Sequence, residues 1–162
     1  MKRHPALRAL SSDHQQGLVQ ARRLVQAAQA AEAGAPEADR RRVAQAFLVF
    51  WAAHTRRHFR EEEEVLLPAF ARYGDPAAAP VVRLLVEHVQ IRRLVADLQR
   101  QVDTGAPELA TMQAIGELLR AHIRHEEDVV FPMLEQIMPE EALIALAEQF
   151  AASALPTESP RH

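Results

Sequence analysis

His58-Phe59-Arg60-Glu61-Glu62-Glu63-Glu64-Val65-Leu66-Leu67-Pro68 decides how this chain is read, because it returns as His122-Ile123-Arg124-His125-Glu126-Glu127-Asp128-Val129-Val130-Phe131-Pro132. Each copy has a His, a Glu four residues later, further acids, apolar residues, and Pro ten after the His. On an α-helix, positions i and i+4 lie on one face about one turn apart. His58 and Glu62 therefore reach a common point, as do His122 and Glu126. An imidazole and a carboxylate so placed make half of a metal site, and two copies suggest a two-metal centre.

Working outward, the chain predicts four long helices. The first starts near Ser11-Ser12-Asp13, taken as N-cap residues, with an ordered lead-in from Pro5, and runs to about Glu32. Its inward stripe is Leu10, His14, Gly17, Ala21, Leu24 or Val25, and Ala28. Gly34 and Pro36 stop it and start the next, from about Glu37 to Arg72, with Phe47, Trp51, His54, His58, Glu62, Val65 and Ala69 inward. Pro68 is expected to bend its last turns. A turn at 73–76 leads to a third helix, to about Val102, with Leu84, His88, Ile91, Val95 and Leu98 inward. After a turn at 103–107 the fourth runs from about Glu108 to Gln136, and a short fifth follows Pro139 through Phe150. The fold class is all-α, an antiparallel up-down-up-down four-helix bundle with a short fifth C-terminal helix. The bundle domain covers 1–152, and 153–162 form a flexible C-terminal tail.

The turns allow a test of depth, since residues equally far from a hairpin turn share a height on its two helices. The first turn lies about 20 residues after His14 and 24 before His58; the second, 13 after Glu62 and 13 before His88; the third, 17 after His88 and 17 before His122. At ~1.5 Å per residue, the mismatches amount to a few Å. The repeat also extends to Asp13-His14 and Glu87-His88. Two hairpins, each with His on its first helix and His-x-x-x-Glu on its second, place His14, His58, Glu62, His88, His122 and Glu126 in one layer. These six are the expected metal ligands. Imidazole suits Fe, Zn, Cu and Ni, and carboxylates add affinity for harder ions. Two inward Glu can bridge two ions, and the donor set leaves coordination positions open.

His54, one turn before His58, is a candidate extra ligand, supporting donor or proton path, weighed against a core-edge histidine bonded to a carbonyl. His125 falls off the ligand stripe. Glu61, Glu63, Glu64, Glu127 and Asp128 read as a solvated face, with Glu61 the best of them for occasional metal contact. Gly17 leaves room for a ligand or channel, or permits close helix packing. Arg40-Arg41-Arg42 reads as a solvated first turn; His4 and His162 lie in the ends, and Tyr73 in a turn.

Composition narrows the class. The chain has 162 residues, a net charge of −3 and no cysteine, which excludes disulfides, thiolate ligands and thiol catalysis. The interspersed charges argue against a nucleic-acid partner, and no apolar run is long enough for a membrane span. No apolar segment follows Met1-Lys2-Arg3, so no signal peptide and a cytoplasmic location are expected. The zinc-protease, phosphate-loop and nucleophile-elbow motifs are absent, as are the Glu-x-x-His pairs of ferritin-like proteins.

Asp13-His14, His58-x-x-x-Glu62 closing at Pro68, Glu87-His88, and His122-x-x-x-Glu126 closing at Phe131-Pro132 together resemble the hemerythrin-like (HHE cation-binding) family, over about Leu10 to Glu135. The resemblance implies a bundle around a non-haem di-iron centre: two Fe ions with bridging carboxylates and an oxo or hydroxo bridge. Oxygen-carrying members have a second His where this chain has Arg92, and their last-helix carboxylate comes five residues after its His, against four here. The present set is more similar to His, His-x-x-x-Glu, His, His-x-x-x-Glu members, which include iron-sensing and iron–sulfur repair proteins. The expected function is binding or sensing O₂, NO or peroxide, or holding labile iron, with a redox or iron-handling protein as possible partner. One alternative is an enzyme that consumes peroxide or reduces NO or O₂ with an external electron donor. The other is a metal-free interaction module.

Overall fold

The computed structural model describes residues 3–153. Within them are five helices: α1 (Arg8–Glu32), α2 (37–70), α3 (Ala79–Thr104), α4 (109–137) and α5 (Glu140–Ser153). No strand occurs among the described residues, and no helix is long and apolar enough to cross a membrane. Of the expected tail, 154–162 lie outside the described residues, as does His162.

α1 begins earlier than the Ser11-Ser12-Asp13 cap predicts. Pro5 opens a 3₁₀ turn, Pro5–Leu7, and the His4 imidazole caps it, accepting the Ala6 N–H at 3.1 Å. His4 thus has a local structural role, and Asp13 is left free for another task. Gly34, with φ +96°, takes the left-handed conformation that ends α1. Arg41 is not merely solvated: it donates to the carbonyls of Gly105 at 2.6 Å and Val102 at 2.9 Å, capping α3.

α1 packs on α2, α2 on α3, α3 on α4, and α4 on α1, closing a ring. Glycines set the α1–α4 approach. A Cβ on Gly116 would stand 2.6 Å from the Ala21 carbonyl oxygen, and one on Gly17 2.9 Å from Ile123 Cδ1. α5 covers one end, against the Pro5–Leu7 turn and α2.

The apolar interior comes in two bodies. One gathers Leu7, Leu66, Phe70, Leu84, Phe131 and Leu134 with α5. The other gathers Leu24, Phe47, Phe59, Ile91, Leu98, Met112 and Ile115. Each fully buried Leu or Phe contributes roughly 1.5–3 kcal/mol. The buried His14, His58, Glu62, His88, His122 and Glu126 side chains lie at the level where these bodies divide.

Three π-turns interrupt the helices: Trp51–Thr55 and Glu62–Leu66 in α2, and Glu126–Val130 in α4. The bend expected at Pro68 is taken up just before it. Pro68 and Pro132 lack an N–H and would crowd the carbonyl four residues back, so the preceding turn widens. Leu67 N–H bonds the Glu62 carbonyl, and Phe131 N–H the Glu126 carbonyl, five residues back in each case. Both π-turns therefore start at an inward Glu, a placement common at functional sites.

Candidate metal centre

All six expected side chains meet. His14, His58, His88, His122, Glu62 and Glu126 are buried. They fall into two groups, His14–His58–Glu62–Glu126 and His88–His122–Glu62–Glu126, with candidate ligand atoms within 4.8 Å of one another in each. The Nε2 atoms point inward. Glu62 lies 3.3 Å from His58 Nε2 and 3.2 Å from His88 Nε2; Glu126 lies 3.2 Å from His122 Nε2 and 3.0 Å from His14 Nε2. Each Glu thus spans its own helix and a neighbour, and each group holds two imidazoles and both carboxylates.

The other face of each imidazole explains why Nε2 is the inward atom. His14 Nδ1 is 2.6 Å from Glu127, His88 Nδ1 2.7 Å from Glu63, and His122 Nδ1 3.0 Å from Glu87. His58 Nδ1 stands 3.5 Å from Asp13. A carboxylate accepting from Nδ1–H fixes the ring and leaves Nε2 as the free lone pair. Arginines stand behind these acids: Arg3 2.8 Å from Glu127, Arg92 2.8 Å from Glu63, Arg83 2.8 Å from Glu87, and Arg57 3.9 Å from Asp13. The reading of Glu63 and Glu127 as solvated is therefore corrected. The repeat held the signal: an acid follows each inward Glu and precedes each of His14 and His88. Aromatic rings add support, Phe59 stacking on His88 at 3.7 Å and Phe131 on His14 at 5.4 Å.

Burial alone would lower the His122 pKa, but the Glu126 charge and the Glu126 and Glu87 carboxylates lift it to about 10. His58 is likewise raised against burial, by Glu62 and Asp13, and His14 by Glu126 and Glu127. Glu62 is held well below the usual carboxylate range, against burial, by His58 and His88. Glu127 drops to about 2 despite burial, through His14, Ser11 and Arg3. The layer is thus a field of carboxylates that favours cations.

A metal fits this field. Both oxygens of Glu62 and of Glu126, and the Nε2 atoms of His88 and His122, are buried without a hydrogen bond. Close approach to a neighbour is not alignment, and each such orphan costs about 1–3 kcal/mol. Cations between them would satisfy all six atoms at once.

Other candidates fall outside both groups. His54 is exposed, its ring 5.2 Å from Phe50. His125 is buried, Nε2 bonded to the Pro80 carbonyl at 3.0 Å. Glu61 faces Arg57 at 3.7 Å, and Glu64 faces Arg60 at 3.2 Å. Asp128 and Tyr73 are exposed. Gly17 serves both purposes weighed for it: it lets α1 approach Ile123 and borders a cavity beside His14 and His58.

No curated protein and no solved structure matches the chain in comparison. A family model does: that of the hemerythrin HHE cation-binding domain matches residues 4–134, covering α1 to α3, all but the last three residues of α4, and every inward His and Glu. On that match, and with buried His/Glu groups suited to a cation, the chain belongs to the hemerythrin HHE cation-binding domain family.

Proposed function

We propose that His14, His58, Glu62, His88, His122 and Glu126 hold two iron ions in a non-haem centre that binds or senses O₂, NO or peroxide, or keeps iron labile. The observation that carries this is the sharing of Glu62 and Glu126 by both donor groups, with all four oxygens buried and unbonded. A lone cation would leave part of that set unsatisfied. Mixed imidazole and carboxylate donors suit iron. Bound there, iron would supply open coordination positions and redox chemistry in a buried site.

The chain's own residues do the rest. Glu63, Glu87 and Glu127 hold the rings of His88, His122 and His14 in the tautomer that presents Nε2. Phe59 and Phe131 shield two of those rings. Ligation requires neutral imidazoles, so loading expels protons from His14, His58 and His122.

Metal analysis of protein purified without added metal tests this. Two irons per chain are expected, lost in the His58→Ala/His122→Ala variant. Spectra that change on adding O₂ or NO without turnover support a binding or sensing role. Metal-free protein, equally stable with and without iron, sinks the proposal.

A further inference from the structure

Beside the layer, between α1 and α2, lies a cavity of about 190 Å³. Its floor is formed by His14, His58 and His122. Phe50, Phe59, Leu119 and Ile123 supply apolar wall, and Asp13, Gln16 and His54 polar lining. Gln16 and His54 are exposed, so this polar edge faces solvent. Two local features make the space. The Trp51–Thr55 π-turn carries His54 and Thr55 on its rim, and no proline explains that turn. Gly17 puts no side chain into the α1 wall, where a Cβ would meet Ile123 Cδ1 at 2.9 Å.

Size decides what such a space is for. A single water needs roughly 10–15 Å³ of such space, whereas an apolar cavity of about 150 Å³ accepts benzene. We propose that this cavity is a binding site for a small organic molecule, with a benzene-sized apolar body and one oxygen donor as head, of the phenol or organic hydroperoxide class. The body lies against Phe50, Phe59, Leu119 and Ile123, and the head faces the imidazole floor. This rests on the metal-centre proposal for the role of the head, and it narrows the ligand from diatomics to oxygen-bearing organics.

Phenol is the probe, with benzene to isolate the body. Binding is read by calorimetry and thermal shift on the protein as purified, its metal content measured. Saturable one-to-one phenol binding is expected. Gly17→Leu, which fills the cavity, should weaken it by about tenfold or more. Phe50→Ala, at a half-buried position, should widen it enough to admit 2-naphthol. Absence of saturable phenol binding up to millimolar concentration overturns the proposal, as does equal binding by Gly17→Leu. So does failure of Phe50→Ala, correctly folded, to accept the larger probe. The two proposals fail separately: metal-free protein that gains no stability from added iron sinks the metal centre, whereas benzene binding to that same metal-free chain still decides the cavity.

Discussion

The two helical hairpins carry the same donor pattern and differ in how firmly they hold it. In α3–α4, Glu87 reaches His122 Nδ1 at 3.0 Å and Arg83 backs it at 2.8 Å. In α1–α2 the corresponding acid is Asp13, one methylene shorter, which stops 3.5 Å from His58, with Arg57 at 3.9 Å. His58 Nδ1 is buried without a hydrogen bond. α4 runs as regular α-helix from Leu109 to His125, whereas α2 opens into a π-turn before His58, beside the cavity. Repetition of a ligand set therefore does not make equal halves. On the second helix of each hairpin, His122 is firmly braced, whereas His58 is looser and borders the cavity.

The largest effects should come where the halves are joined. Glu62→Ala or Glu126→Ala removes a donor from both groups, so both ions should be lost. His58→Ala and His122→Ala each touch one group. Metal content per chain checks this, and retention of one ion in a Glu variant would break the equivalence of the two carboxylates.

Acidity sharpens the comparison next. His122 is raised from 6.5 to about 10, so in metal-free protein its stabilising contribution is full below pH 6.5 and lost as pH rises towards 10. Glu127 is lowered from 4.5 to about 2, so its contribution is present above pH 4.5 and lost as pH falls through 2. Metal-free protein should thus lose stability between pH 7 and 10 in thermal melts. Metal-loaded protein, whose imidazoles are already neutral, should not.

Bracing comes third. Glu87→Gln should cost about 10–100-fold in metal affinity, and Asp13→Asn less, in competition titrations with a chelator. Asp13→Glu, lengthening the short acid, should tighten binding. Equal losses from Glu87→Gln and Asp13→Asn would erase the asymmetry. The smallest effect is at the partly exposed Arg3, which pairs with Glu127 and Glu135. Arg3→Ala should cost less than about 1 kcal/mol in denaturant melts.

The ligand layer was legible because period and turn spacing are properties of the chain itself. His-x-x-x-Glu sets a common face, and equal distances from turns set a common depth. Glu63 and Glu127 were legible only as a repeated acid, not from periodicity, because at one residue past an inward Glu the helical period points away from the layer. Their partners, His88 and His14, belong to other helices, so no spacing along one helix reveals them. The π-turns were half legible: Pro68 announced a bend, but only the backbone bonds to the Glu62 and Glu126 carbonyls place the two widened turns. The Trp51–Thr55 turn has no proline to announce it. Asp13 reads as a cap because capping residues and helix-interior acids share a composition; α1 instead starts at Arg8 with no side-chain cap, behind a 3₁₀ turn that His4 caps.

The polar layer between the two apolar bodies has a mechanical consequence. Four helices cross that waist, and cations there would act as a buckle fastening two otherwise separate lobes. Removing them should uncouple the lobes, so that a single melting transition splits and amides on either side exchange at different rates. Scarcity of metal would then be registered as slackness along the whole length of the molecule, far from the ions themselves.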